Sequence, residues 1–306
     1  MSIPPPPRIF PVFKDNYGQN LKGCVPNSTK NQTLEDDLKD FFEKILKRMI
    51  SSKSCFVFNY RYLRPVLQDG PTCGLAALSM ASSCRDRMVY VNRILKYTKL
   101  RGYSNNGEMF SVEYLADIAK TLIGFEIEVL EKGLENQEYV LNQIMNGALL
   151  LIPYDADFNH TPCKKNGHRA HWAVICGLLL EGHLNGQLSA ESCQSNSKFN
   201  CVQYLPDKDT FVPQNLLNIC EVNQVYLLAR QGKSVHPGVW SYKELKDSNE
   251  NLIEFDPIRA ESNISYILPP EGVEGGLKGK AVLIKGLKQV TVDEILSYAD
   301  ILKSFL

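Results

Sequence analysis

Apolar residues recur at helical spacing early in the chain, at Leu34, Leu38, Phe41, Phe42, Ile45, Leu46 and Met49. That period predicts one buried helix face, with Thr33 placed to cap its start. A β-prone stretch from Cys55 to Leu63 follows, and then a turn-forming segment, Gln68-Asp69-Gly70-Pro71-Thr72. From Cys73 the small and apolar run CGLAALSMA reads as a helix buried on all sides. Further helices are predicted around 88–99, from Ser111 to Leu122 and from Gln137 to Met145. Strands are predicted at Phe125–Leu130, at Ala148–Tyr154, from His171 to Leu180 and from Gln224 to Ala229. Two of these are unbroken apolar runs, as expected of strands covered on both faces. A short helix at 240–248, a glycine-rich piece at 272–279 and a strand at Ala281–Ile284 come next. The last helix opens on a capping box, Thr291-Val-Asp-Glu294. Helices come early and strands dominate after about residue 125, which predicts a two-lobed α+β molecule.

Two segments break this pattern. Pro4, Pro5, Pro6 and Pro7, with Pro11 beyond, fix φ and favour an extended polyproline II arm that cannot join a core. Residues 12–32 are polar and Asn-rich, so 1–32 reads as a flexible arm before a domain spanning 33–306. Within that domain, 181–200 is small and polar and reads as a loop insertion.

Composition narrows the function classes. The 306 residues are 44% hydrophobic, enough for a sizeable core. Lys+Arg and Asp+Glu are both 34, so no global field favours nucleic acid or a membrane surface, and charge-based recognition must be local. The longest apolar stretch, Trp172 to Leu180, is about half of what a spanning helix needs. The start, MSIPPPPRIFP, lacks the layout of a signal peptide. These features predict a soluble, cytoplasmic protein. The nine cysteines are odd in number and irregularly spaced, which favours reduced thiols over a disulfide framework. In that compartment the sequons at Asn27, Asn31 and Asn263 carry no sugar.

The chemistry concentrates at two places. Cys73 stands where a Gly-Pro turn ends and a helix starts, so free backbone N–H groups and the helix dipole favour its thiolate. Gly74 would let a substrate carbonyl approach the backbone. Gln68, five positions upstream, offers a side-chain N–H that could join the Cys73 backbone N–H in an oxyanion hole. A base is also needed, and in Arg169-Ala170-His171-Trp172-Ala173-Val174 a histidine opens an apolar strand with an indole beside it to shield it from water. A nucleophile and a base 98 residues apart (171 − 73) fit two lobes that meet across a cleft.

A third group should accept a hydrogen bond from the imidazole. Gln231, at the end of the 224–229 strand, is the candidate, although a Cys–His dyad would suffice. Lys164, Lys165, His168 and Arg169 crowd the approach to His171, and a basic rim of Lys164, Lys165 and Arg169 suits an acidic stretch after a scissile bond. Cys163, His168 and His171 lack a fourth ligand and no CxxC pair exists, so neither a metal nor any other cofactor is expected. Gly232-Lys233-Ser234 ends like a phosphate loop, but Leu227 stands where that motif needs glycine. No G-x-S-x-G elbow is present for a serine hydrolase. Cys176, in mid-strand, reads as core packing.

A Gln–turn–Cys-Gly helix start with a downstream His-Trp strand resembles the papain-like cysteine peptidases, although the Gln-to-Cys offset is one residue shorter than is common there. QDGPTCGLAAL, RAHWAVICG and the proline arm together resemble the actin maturation protease family. The resemblance implies an α+β papain-like fold, with Cys73 in a helical lobe and His171 in a mostly antiparallel sheet lobe. It implies a cytosolic cysteine aminopeptidase that removes the acetylated first residue of immature actin, with Cys73 as nucleophile and His171 as its partner. It also implies that the arm, through Pro4–Pro7, contacts profilin. The alternatives are another thiol hydrolase using the same dyad, such as a deubiquitinase or transamidase, and a profilin-binding adaptor with no catalysis.

Overall fold

A computed structural model describes residues 55–184, 194–195, 202–204 and 220–287, together with Thr33, Asp36, Asp37 and Asp40. All belong to the unit spanning residues 32–306. The proline arm, the rest of the 33–49 helix and the last helix, expected to open at 291–294, lie outside the described residues. Asp36, Asp37 and Asp40 are helical, and the Asp36 N–H donates to Thr33 Oγ1 at 3.2 Å. That is the capping interaction expected of Thr33.

Among the described residues the architecture is a nine-stranded, mostly antiparallel sheet with helices packed on it. Its strands are β1 (Cys55–Tyr60), β2 (Glu126–Leu130), β3 (Leu149–Asp155), β4 (Ala170–Leu184), β5 (Gln194–Ser195), β6 (Val202–Tyr204), β7 (Cys220–Gln231), β8 (Gly238–Ser241) and β9 (Ala281–Lys285). The path runs β2-β9-β3-β4-β1-β6-β5, and β7 pairs with β4 and β8. Only the β1–β6 pair is parallel among the described strands. The helices Cys73–Ser82, Val91–Leu100, Val112–Ile118 and Gln137–Met145 stand close to where hydrophobic spacing places them. Two segments differ from expectation. The glycine-rich piece forms a short helix, Gly272–Leu277. The polar stretch at 181–200 is not wholly a loop, because β4 runs on to Leu184 and Gln194–Ser195 pairs with β6.

β4 is the centre of the fold. Its first half lies between β3 and β7, and its second half between β1 and β7. Trp172, Val174 and Cys176 point into one core with the Cys73 helix, while Ala173 and Ile175 point into a second core on the other face. A bulge between Ile175 and Gly177 then inverts the alternation, so that Leu178 and Leu180 join the second core and Leu179 the first. Gly177 is required at that point, because a Cβ there would lie 2.3 Å from the Asn59 carbonyl oxygen. The Cys73 helix is buried at every position from Cys73 to Ser82, which explains its lack of a polar face. Burying each of Leu75, Leu78 and Met80 contributes about 2 kcal/mol. The helix is thereby anchored along its length, with its first turn at the opening of β4.

Candidate active site

The segment before the Cys73 helix explains why its start is bare. Thr72 is the N-cap residue, yet its hydroxyl donates to Asp69 O at 2.7 Å and caps nothing. The first N–H groups of the helix are thus left without a side-chain partner. The Gln68 N–H donates to Gly232 O at 2.8 Å, which ties this loop to the turn that follows β7. Cys73 is 8% exposed, and backbone N–H groups of Trp172, Gly74 and Cys73 itself act on its thiol. Trp172 is the residue after His171, so the thiol sits at the opening of β4, beside the histidine's own backbone neighbour. Tyr154 spans the two: Cys73 lies within electrostatic reach of its phenol, and its ring meets the His171 ring edge-on at 5.7 Å.

His171 is 7% exposed and pairs across the sheet with Tyr154. Its Nε2 lies 3.4 Å from Gln231 Oε1. The Lys233 backbone N–H is 2.6 Å from the same oxygen. A backbone N–H can only donate, so that Gln231 atom is the carbonyl oxygen, and it must also accept from His171 Nε2–H. The proton is therefore on Nε2, and Nδ1 keeps a lone pair. Among the described residues no hydrogen bond joins the thiol to the imidazole.

The electrostatics differ from the thiolate expected of a helix start. Burial pushes the Cys73 thiol up, outweighing the Arg259 charge and the backbone N–H groups that lower it. Burial also pulls His171 down to about 4, with the charges of His160, Lys233 and Arg169 adding to the effect and the Gln231 hydrogen bond opposing it. Desolvation thus favours the neutral form of both groups, the thiol and the imidazole. Alkylation of Cys73 by iodoacetamide should then rise about tenfold per pH unit between about pH 6 and 8. The measurement is peptide mass spectrometry of the Cys73 peptide, and a rate already flat across that range would contradict the neutral pair.

Other expected site residues stand differently. Gly74 is buried, and a Cβ there would lie 3.1 Å from Met109 Cβ and 3.2 Å from Trp172 Cδ1. It lets the helix close on the sheet and does not present a surface to substrate. Trp172 is 1% exposed and donates its indole N–H to Met109 O at 2.9 Å, so it is core and not a shield over the imidazole. Strand alternation sends it to the face opposite His171. Gln68 directs its amide nitrogen to Gly70 O at 2.8 Å, within its own loop. Lys164 lies 3.7 Å from Asp247, and Lys165 and Arg169 stack on Phe158 at 4.7 and 4.6 Å from the ring centroid.

Several neighbours of the site escape a sequence reading. Asp155, wholly buried, accepts from the backbone N–H groups of Lys165 and Gly167 and so shapes the loop that leads into His171. His160 has φ 60° and holds its ring 5.6 Å from that of His171. The Tyr154 hydroxyl fixes it by donating to His160 O at 2.9 Å. A left-handed histidine is uncommon and marks a segment fixed by its surroundings. The turn signal Asp157-Phe158-Asn159 was available in the sequence, but nothing there placed His160 against His171.

Residues 63–179 match the family model described as actin maturation protease-like, C-terminal domain, a span that holds both Cys73 and His171. The actin maturation protease of Bos taurus is 36% identical over 285 residues, covering 92% of this chain and 80% of that protein. That of Mus musculus is 35% identical over 289 residues, covering 92% and 79%. That of Drosophila melanogaster is 35% identical over 235 residues, covering 76% and 72%. The crystal structure of a C39-like peptidase from Bacillus anthracis aligns with 76% of this chain and 99% of that one, at 10% identity and a TM-score of 0.37, too distant to bear on function. With similarity of this extent across vertebrate and insect proteins, the chain belongs to the actin maturation protease family.

Proposed function

We propose that this chain is a cysteine aminopeptidase that removes the acetylated first residue of immature actin. What supports the reading is a Cys73 helix start at the opening of the strand that carries His171, with Gln231 within hydrogen-bond distance of that histidine, in a member of this family. Neutral His171 takes the Cys73 proton on Nδ1 as the sulfur attacks the carbonyl carbon of the acetylated residue. The C–S bond forms and the carbonyl oxygen becomes an oxyanion. The uncapped Cys73 N–H and the second amide hydrogen of Gln68 stabilise it. Collapse breaks the C–N bond, and the imidazolium returns its proton to the leaving amine, the new N-terminus of actin. Water then hydrolyses the thioester. Gln231 acts as a positioning residue that holds the proton on Nε2.

The acidic residues that follow the scissile bond are met by Arg169 and Lys233, the side-chain cations that act on His171. Neither has an acidic partner among the described residues, whereas Lys164 is held toward Asp247. Replacing Arg169 and Lys233 by Glu should lower kcat/KM on an acidic N-terminal peptide by about 100-fold, and much less on a neutral one. Equal losses on both peptides would contradict this assignment. The proline arm, 1–32, is proposed to contact profilin through Pro4–Pro7, and the cytoplasm is the proposed site of action.

The test is to incubate the wild-type chain with actin that carries its acetylated initiator residue, with and without profilin, and read the N-terminus by mass spectrometry. Loss of that residue supports the assignment. An intact N-terminus in both arms would overturn it.

A further inference from the structure

At the end of the Cys73 helix away from the thiol, the surface opens into a pocket of about 760 Å³. Ten residues at 1.5 Å each put its rim, at Ser83, about 15 Å from Cys73. Among the described residues, four arginines line it (Arg64, Arg85, Arg87 and Arg93) against one acid, Asp86. In a chain whose charges cancel, that is a concentrated positive field.

The cations differ in how they are held. Arg85 donates to Ile123 O and Gly124 O at 3.0 and 2.9 Å and lies over the Phe125 ring, so its charge is fixed in place but not neutralised. Arg64 and Arg93 are exposed and have no acidic partner among the described residues. The helix Val91–Leu100 also begins on the rim, where Tyr90 gives no side-chain cap and Asn92 Oδ1 accepts from the Arg93 N–H at 2.7 Å. Its positive end adds to the arginine field. Tyr90 is 62% exposed, and with Met88 and Val89 it supplies an apolar wall.

The geometry points to this pocket as a binding site for an acidic peptide segment. Arg64 and Arg93 come from separate stretches of chain with fixed Arg85 nearby, which suits several carboxylates spaced along a peptide. A nucleic acid would need a longer track of cations than one pocket provides. A role in holding a protein substrate at a distance from Cys73 rests on the function proposed above; the binding itself does not.

The experiment measures fluorescence anisotropy of a labelled, N-terminally blocked hexaglutamate peptide with the full chain. Wild type should bind it, more weakly as salt rises. Arg64→Ala/Arg93→Ala should weaken binding about tenfold or more. Lys132→Ala/Lys278→Ala, cations that line neither this pocket nor the active site, should change it by less than about threefold. The proposal is overturned if the first pair of substitutions leaves the affinity unchanged, or if the loss follows the second pair. It is also overturned if inorganic phosphate or an oligonucleotide of equal charge binds through Arg64 and Arg93 while hexaglutamate does not. Hexaglutamate binding without any cleavage of actin would sink the proposed function and leave this site standing.

Discussion

Cys73→Ala lowers the rate of N-terminal processing by about 10⁴-fold or more, the scale seen when a catalytic nucleophile is removed. The substituted side chain is smaller and sits in a core that holds the whole helix, from Leu75 to Ala81, so the fold survives. Substrate affinity therefore changes little, and the loss falls on kcat. The control is Cys176→Ala. Burial pushes that thiol up to about 12, and it lies in mid-strand with its S–H directed to Leu228 O at 3.4 Å. Its loss costs packing and leaves processing intact. Stopped assays on an acetylated N-terminal peptide measure both variants. A Cys73→Ala enzyme within tenfold of wild type would remove Cys73 from the mechanism.

The second large effect is on stability. Arg230 and Asp37 form an ion pair, Arg230 being 1% exposed and Asp37 wholly buried. Arg230 also donates to Val235 O at 2.8 Å, and the Tyr60 hydroxyl donates to Asp37 at 2.5 Å. Arg230→Leu leaves the Asp37 carboxylate buried without its counter-charge, which costs about 3–5 kcal/mol. Asp37→Leu should cost a similar amount by stranding the guanidinium. The double substitution removes both charges and should cost clearly less than the two single losses added together. Urea unfolding of the four proteins measures this coupling, and single losses below about 1 kcal/mol would show the pair to be unimportant. Arg230 is also the neighbour of Gln231, so a loosened β7 should slow processing before the chain unfolds.

Much of this was legible in the sequence because it is local. The Gly-Pro turn, the small-residue helix after Cys73 and the apolar run after His171 each sit within a dozen residues, and all three elements form where their spacing places them. Gln231 was reachable as a strand end, but its alignment with His171 depends on β4–β7 pairing across 60 residues. The Arg230–Asp37 pair spans 193 residues, and no period or motif signals it. The basic rim shows the same limit. Proximity in sequence points to Lys164 and Lys165, whereas the fold turns Lys164 to Asp247 and brings Lys233, from the turn after β7, near His171. The packing of Gly74 against Trp172 is a tertiary contact, so the local sequence suggests a substrate approach at Gly74 and a shield at Trp172 where the fold makes core contacts. The ionisation of Cys73 is hidden from the sequence for a related reason. A helix start favours a thiolate, but the depth of burial that outweighs it exists only once the sheet is assembled.

The central claim is that catalysis passes through an acyl group on Cys73. It is tested by quenching wild-type enzyme in acid during turnover of an acetylated actin N-terminal peptide and mapping adducts by mass spectrometry. The account predicts a thioester-sensitive mass gain equal to the acetylated first residue, confined to the Cys73 peptide and absent when His171 is replaced by Ala. Steady turnover with no adduct on Cys73, or with the adduct on another residue, would contradict it.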